Sequence, residues 1–487
     1  MNQTRNRTEH RSLNITISHL ERRWLLFVLD LSALNGAFFL SLIIRPDYRF
    51  SWQLIAEHPE WLLTLNALWL LIGYFFQVYQ LEKASQPRMI LPAVWGAGLI
   101  TLLVFSFLPY LPPKLSPSRL PLYLSILLPV LFLTVSRGIY LLIFSQPIFR
   151  RRVLIVGAGW AGRTIFKALH DHGENLYDLV GFIDDDPEKQ GRQVEIDARE
   201  DGVPLEQPVR LPVLGGRDRL QELIAVHRIN MVVLAITRNV SGELLQVITD
   251  TLQQGVELTP MPVLYEQLTG KVPVEHIGDQ WSVSIPVDHP GTRALWHLSK
   301  RVFDLFWAGI GLAGLFLLSP LIALLIYLDS PGPILYSQQR MGRNGRLFRV
   351  YKFRSMIPDA EQNSPVWAEE NDSRVTRIGR LLRKTHLDEF PQFVNILKGE
   401  MSVVGPRPER PEFVKDLAAE IPFYRVRLAV KPGMAGWGLI HQGYGASRED
   451  ALVKLQYDLY YIKHQSLWLD FYILARTFLD ALSLGGR

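Results

Sequence analysis

Cysteine is absent from all 487 residues. Disulfides, thiolate nucleophiles and cysteine-held zinc are thereby excluded, so any metal has to sit on oxygen or imidazole ligands. Lysine is scarce, with 13 of the 52 cations against 39 arginines. A planar, bidentate guanidinium suits phosphate better than an ammonium does, so the bias favours phosphate chemistry or anionic lipid. Internal repeats and low-complexity tracts are missing. The first apolar run has no small-residue cleavage pattern behind it, so no cleavable signal peptide is expected. What the chain has in quantity is apolar surface: 48% hydrophobic residues and a mean hydropathy of +0.10 point to a membrane. Its length calls for about three structural units.

Four apolar runs fill the first third, Trp24–Ile44, Trp61–Val78, Ile90–Leu111 and Leu120–Phe144. Each is near the ~20 residues that span a bilayer. Basic residues precede the first (Arg5, Arg7, Arg11, Arg22, Arg23) and follow the fourth (Arg150, Arg151, Arg152), which places both ends in the cytoplasm. The expectation is a cytoplasmic tail over 1–22 and a four-helix transmembrane bundle over 23–147, with Asp30 and Arg137 facing other helices. A strand at Val153 to Val156 then leads into Gly157-x-Gly159-x-x-Gly162, and a second strand ends at Asp184. That spacing is the dinucleotide fingerprint and predicts a Rossmann-like α/β domain over 150–290. A glycine turn also serves a tight strand-to-helix connection. Both uses stay open for Gly157, Gly159, Gly162 and Asp184.

A fifth apolar run, Val302 to Leu328, contains Ser319-Pro320. Proline removes a helical hydrogen bond and crowds the preceding turn, so a bend is expected there. Lys300 and Arg301 flank one end, and Arg340, Arg343, Arg346 and Arg349 follow the other. Spanning would carry one basic flank across the membrane, so a helix that enters, breaks and returns is favoured.

The last third carries the chemistry. Asn344-Gly345 between two β-like runs predicts a hairpin, whose strands hold Arg340, Arg343, Arg346, Arg349, Lys352 and Arg354 without an acid. Lys352 and Arg354 alternate onto one face and are the candidates for substrate. In SRVTRIGRLLRKTHLDEFPQF, Val375, Ile378, Leu381 and Leu382 recur at helical spacing opposite Arg374, Arg377, Arg380 and Arg383. This is the pattern of an interfacial amphipathic helix delivering Asp388 and Glu389 to the membrane surface. Neighbours on a helix point about 100° apart, so one carboxylate can attack while the other grips a cation. Attack on a phosphate requires its charge to be neutralised by Mg²⁺ and arginine, and Arg383 is placed to help. An Asp-Glu pair alone is usually a solvated surface pair. Arg407 sits between Pro406 and Pro408, which fix the backbone and aim its guanidinium. Trp437 and Tyr444 belong to a glycine-rich stretch that reads as a loop near the site or the membrane, and His386 and His441 are assigned no role.

Together KRVFD, the Ser-Pro break, YKFRSM, LDEFPQFVNILKGEMSVVGPRPE, KPGMAGW and YDLYYIKHQSLWLD resemble the polyprenyl-phosphate hexose-1-phosphate transferases, the large monotopic phosphoglycosyl transferases of bacterial exopolysaccharide, capsule and O-antigen synthesis. The resemblance covers 295–487. It implies an α+β catalytic domain with a re-entrant helix over 302–328, broken at Ser319 and Pro320, behind a four-helix membrane region and a degenerate nucleotide-binding-like domain. It further implies that Asp388 attacks the sugar-linked phosphate of a UDP-sugar and releases UMP, and that the sugar phosphate then passes to undecaprenyl phosphate. Glu389 matches the Mg²⁺ ligand and Arg407 the nucleotide-binding arginine, while Arg383 and Lys352 match basic positions near the phosphates. His386 and Phe390 depart from the usual Ser or Thr and Leu. The implied location is the bacterial cytoplasmic membrane with the catalytic domain on its inner face; the implied partners are lipid, donor and acceptor, not nucleic acid, and a homodimer is compatible.

Two rivals are weaker. A membrane nucleotide-sugar dehydratase needs a Tyr-x-x-x-Lys pair, which occurs only at Tyr79–Lys83 and Tyr110–Lys114, ahead of the glycine-rich strand. A non-catalytic scaffold of the same fold has no use for an intact dyad, the Pro-Arg-Pro turn and the basic hairpin in one chain.

Overall fold

A computed structural model describes residues 19–45, 50–108, 111–113, 119–144, 146, 149–173, 176–200, 202–236, 256–274, 294–358, 372–442 and 447–482. Arg5, Arg7, Arg11, Tyr110, Lys114 and Tyr444 of the sequence reading lie outside these. Two compact units divide the chain: Met1–Ile236 with Val240–Met261, and Thr237–Asn239 with Pro262–Arg487.

The first unit opens with helices α1 (His19–Ile44), α2 (Trp52–Glu57), α3 (Pro59–Phe75), α4 (Leu81–Ala84), α5 (Pro87–Phe107) and α6 (Arg119–Phe144). Their apolar faces close on Leu34, Trp61, Leu65, Trp69, Val94 and Leu133. The two charges inside the apolar runs pair across α1 and α6: Arg137 Nη2 donates to Asp30 Oδ2 at 2.5 Å, both side chains buried. Four helices among the described residues are long and apolar enough to cross a membrane: Leu20–Ile44, Pro87–Phe107, Arg119–Phe144 and Trp296–Asp329. The set differs from the expected bundle at one place. Helix α3 has 17 residues and, at 1.5 Å per residue, reaches only about 26 Å.

Strands β1 (Arg151–Val156), β2 (Tyr177–Ile183), β3 (Gln193–Ala198), β4 (Pro204–Gly215), β5 (Met231–Leu234) and β6 (Glu257–Pro260) follow, with α7 (Trp160–Gly173) after β1 and α8 (Leu220–His227) before β5. The sheet order is β3-β4-β2-β1-β5-β6. All neighbours run parallel except β3 and β4, so the sheet is mixed. The glycines between β1 and α7 have steric reasons. Gly157 holds φ +109°, and a Cβ on Gly162 would lie 1.9 Å from the Gly157 carbonyl oxygen. Asp184 accepts from Ala158 N at 2.8 Å and so ties the end of β2 to the same turn. Gly159 alone faces open space.

The second unit contains α9 (Met261–Thr269, from Pro262 onward), α10 (Ala294–Asp329), the hairpin β7 (Leu335–Met341) and β8 (Leu347–Phe353), α11 (Arg377–Lys384), a 3₁₀ turn at Leu387–Gln392, α12 (Phe393–Lys398) and β9 (Ser402–Val404). After these come α13 (Pro411–Glu420), a second 3₁₀ turn at Tyr424–Ala429, β10 (Gly433–Ala435), α14 (Trp437–Gln442), α15 (Arg448–Lys463) and α16 (Leu467–Leu482). Asn344 and Gly345 both have positive φ, as a tight hairpin connection demands. Helix α10 includes both Ser319 and Pro320 within its span. Pro320 removes a donor there without ending the helix. Both ends of α10 are tied to its own unit. Near the start Lys300 Nζ donates to Asp470 Oδ2 at 2.6 Å, Arg301 Nη1 to the Ile396 carbonyl at 2.7 Å, and Ser402 Oγ to Asp304 Oδ1 at 2.8 Å. At the far end Asp329 Oδ2 accepts from Ile378 N at 2.9 Å, and Arg354 donates to the Ser330 carbonyl.

Candidate active site

Helix α11 begins at a Thr376 cap, whose Oγ1 accepts from Gly379 N at 3.0 Å. It ends because His386 takes the left-handed conformation, φ 58°, which a right-handed helix cannot continue. The acidic pair therefore lies on the 3₁₀ turn beyond α11, not within the amphipathic helix expected to carry it. In a 3₁₀ turn residues i and i+3 eclipse. Leu387 and Phe390 thus share one face and pack toward Ile322 and Ile326 of α10, Phe353 of β8 and Leu382 of α11. The intervening Asp388 and Glu389 are turned to other faces of the same turn.

Both carboxylates are buried, 7% and 5% exposed, but their surroundings differ. Glu389 Oε1 accepts from Lys352 Nζ and from Arg407 Nη2, each at 2.7 Å. Although burial opposes its charge, those two cations hold the Glu389 carboxyl well below the usual range. Burial, and then the charge of Glu389, push Asp388 up to about 6, while Lys352, Arg383 and Arg407 pull the other way. One acid is locked into ion pairs, while its more basic neighbour has no ion-pair partner among the described residues. Burial lowers both the Lys352 ammonium, against the pull of Glu389, and the His386 imidazole.

Arg407 reaches Glu389 from the turn that follows β9. Strand β9 pairs with β10 in parallel, and Gly405 N donates to the Ala435 carbonyl at 2.9 Å. A Cβ on Gly405 would lie 2.5 Å from the Lys431 carbonyl, so only glycine allows this approach. Beside Arg407 a small cleft is lined by Met341, Gly342, Pro406, Arg407, Glu409 and Arg427 among others.

Residues 295–483 match the family described as "Bacterial sugar transferase". The chain is 39% identical over 198 residues to an exopolysaccharide production protein of Rhizobium leguminosarum bv. phaseoli, covering 96% of that relative and 38% of itself. The chain belongs to the bacterial sugar transferase family. It is also 44% identical over 215 residues to the UDP-N-acetylgalactosamine-undecaprenyl-phosphate N-acetylgalactosaminephosphotransferase of Aeromonas hydrophila (44% of this chain, 49% of that one). A longer match, 32% over 369 residues, joins it to the undecaprenyl-phosphate glucose phosphotransferase of Komagataeibacter xylinus (73% of this chain, 64% of that one). The chain thus spans about half the length of the Aeromonas relative.

Within this transferase domain Asp388, Glu389, Lys352 and Arg407 come together. Arg383 stands close enough to act on Asp388 by charge while its Nε donates to Ser355 Oγ at 2.9 Å. Arg354 is not brought in. Strand β8 ends at Phe353, so the alternation that pairs Arg354 with Lys352 stops one residue short. Its buried guanidinium turns to the Ser330 carbonyl instead. Ser319 and Pro320 lie along α10. Gly157, Gly159, Gly162 and Asp184 belong to the other compact unit. Trp437, read as part of a loop, opens helix α14, and its Nε1 donates to the Gly270 carbonyl at 2.9 Å. Sequence reasoning missed Arg427 and Asp458, a buried pair at 2.9 Å. No motif spacing links residues in such different elements, although an Asp inside the apolar YDLYYI run is a signal that a partner is needed.

No cluster of three or more metal-ligating acids or histidines occurs among the described residues. Mg²⁺ is nevertheless commonly held by one or two carboxylates together with substrate phosphates. The adjacent Asp388 and Glu389 carboxylates, with Lys352 and Arg407 both meeting Glu389 at Oε1, fit that donor set.

Proposed function

We propose that this protein transfers a hexose 1-phosphate from a UDP-sugar to undecaprenyl phosphate, giving undecaprenyl-diphospho-sugar and UMP through a covalent intermediate on Asp388. The observation that carries the reading is the division of labour in the dyad. Glu389 is committed to Lys352 and Arg407, whereas Asp388 is buried, has no ion-pair partner among the described residues and is more basic than an ordinary aspartate. A carboxylate poised near the working pH is a competent nucleophile toward phosphorus.

In the first half-reaction an Asp388 oxygen bonds to the sugar-linked phosphorus, and the bond from that phosphorus to the UMP oxygen breaks. Lys352, Arg383 and Arg407 offset the charge on the phosphates, so the anionic nucleophile can approach. In the second, a phosphate oxygen of the lipid bonds to the same phosphorus and Asp388 departs as a carboxylate. Mg²⁺ held by Glu389 and the phosphates would supply further charge neutralisation. Chelation by EDTA is expected to suppress UMP release, and added Mg²⁺ to restore it.

The membrane reading rests on α10. Its outward side is apolar along its length, through Val302, Phe306, Ile310, Phe316, Leu317, Leu321, Leu324 and Leu328, with Phe316 80% exposed. Both ends are bonded to residues of the same unit, which a helix crossing the bilayer could not manage. We read α10 as re-entrant, with the catalytic domain on the cytoplasmic face of the inner membrane, as the basic flanks favour. The mixed sheet is read as a Rossmann-like domain whose glycine turn serves its own packing.

Intact mass measurement after exposure to donor alone tests the proposal. A hexose-phosphate adduct on Asp388, formed with one UMP, is the expected result. UMP release without any adduct would overturn the covalent route. A panel of UDP-glucose, UDP-galactose and their N-acetylated counterparts reads the sugar.

A further inference from the structure

The turn that presents Arg407 has few backbone handles. Pro406 and Pro408 lack an N–H, so the turn can be held mainly through its carbonyls, and each of the three has its own donor. Pro406 O accepts from Gly433 N at 2.9 Å, Pro408 O from Arg340 Nη1 at 3.3 Å, and the central Arg407 O from Arg427 Nη2 at 3.2 Å. Arg427 makes two further bonds: Nη2 also donates to Asp458 Oδ2 at 2.9 Å, and Nη1 donates to Tyr424 Oη at 2.5 Å. The footing beneath Asp458 is firm. On either side of it along α15, Val272 N donates to the Gln456 carbonyl at 3.1 Å, and Lys463 Nζ donates to Glu266 Oε1 at 2.8 Å.

We propose that Arg427, braced by Asp458, is a positioning residue for the transfer reaction: it fixes the Pro406-Arg407-Pro408 turn so that the Arg407 guanidinium is delivered to Glu389. The inference rests on the function read above. A buried ion pair kept only for stability could be replaced by apolar side chains at little cost. This one uses a third hydrogen bond to grip the backbone of a residue in the site, 20 positions away in the chain. A shift of the turn would move a guanidinium whose contact with the dyad spans only 2.7 Å, and misplacement by about 1 Å is enough for large rate losses.

The test is made on the full-length protein in membrane. Arg427→Lys keeps a charge against Asp458, but a compact ammonium cannot fork to Tyr424, Asp458 and the Arg407 carbonyl together. The expected result is a loss of about tenfold in kcat/KM for UMP release, the equivalent of about 1.4 kcal/mol, with thermal stability largely kept. In an Arg407→Gln background the same Arg427→Lys change is expected to cost nothing further, because the group it positions is gone. Asp458→Asn is the second arm and should show the same loss and the same non-additivity. Unchanged kcat/KM in the single variants, or losses that simply add in the Arg407→Gln background, would overturn the proposal. Absence of UMP release from the unsubstituted protein would instead bring down the function reading, and this inference with it.

Discussion

Replacing Asp388 by asparagine should abolish UMP release and make the protein more stable at neutral pH. Raising a carboxyl from its ordinary 3.8 to about 6 corresponds to roughly 3 kcal/mol, at 1.36 kcal/mol for each pH unit. The sign follows from linkage. Below about pH 4 the carboxyl is protonated in folded and unfolded chains alike, and burying it costs nothing extra. Between about pH 4 and 6 the unfolded chain ionises first, stability falls, and above about pH 6 the full penalty is carried. Asparagine has nearly the same shape and never ionises, so the variant escapes the penalty. Its thermal midpoint should match that of the unsubstituted protein near pH 3 and exceed it at pH 7.5. At about 2–4 °C for each kcal/mol in a unit of this size, the upper figure is roughly 6–12 °C. Scanning fluorimetry of both proteins in the same nanodiscs, alongside a UMP assay, reads both quantities. Equal midpoints at pH 7.5, or turnover by the variant, would refute the reasoning.

Because the attacking Asp388 must be ionised, kcat/KM for UMP release should climb about tenfold from pH 5 to 7 with an inflection near 6. Lys352→Met, which removes a cation favouring that anion, should move the inflection upward in a pH–rate profile. Lys300→Met takes the ammonium from Asp470, which is fully buried; stranding such an acid typically costs about 3–5 kcal/mol, and an added Asp470→Leu should recover part of the loss of thermal midpoint. Gly379→Ala would set a Cβ 2.0 Å from the Ser355 carbonyl oxygen. Alanine gains about 1 kcal/mol in a helix, but a clash with backbone outweighs it, so a net loss of about 1–2 kcal/mol is expected in a denaturation series.

Short-range signals carried much of this chain. The Asn344-Gly345 hairpin, the amphipathic run ahead of the dyad, the Pro-Arg-Pro turn and the glycine turn after β1 are all local geometry that a few neighbouring residues dictate. Misreadings arose where local pattern competes with a packing decision. Alternation joins Lys352 to Arg354, but β8 ends between them. Helical spacing runs on through Asp388, but His386 turns left-handed and the dyad emerges on a tighter turn. Least visible were pairs such as Lys300 with Asp470, 170 residues apart. Nothing in one sequence registers which distant acid a given lysine will meet.

Fastening α10 at both extremities has an effect on substrate supply. With that helix embedded as proposed, the dyad cannot bob relative to the lipid, because Asp329 secures the start of α11 and the opening residues Lys300 to Asp304 secure the sheet and helices behind Arg407. The reaction centre rides at a set altitude over the bilayer. A soluble nucleotide can arrive from any direction, but a lipid-borne phosphate is useful only if its anchor lets it float at that same level.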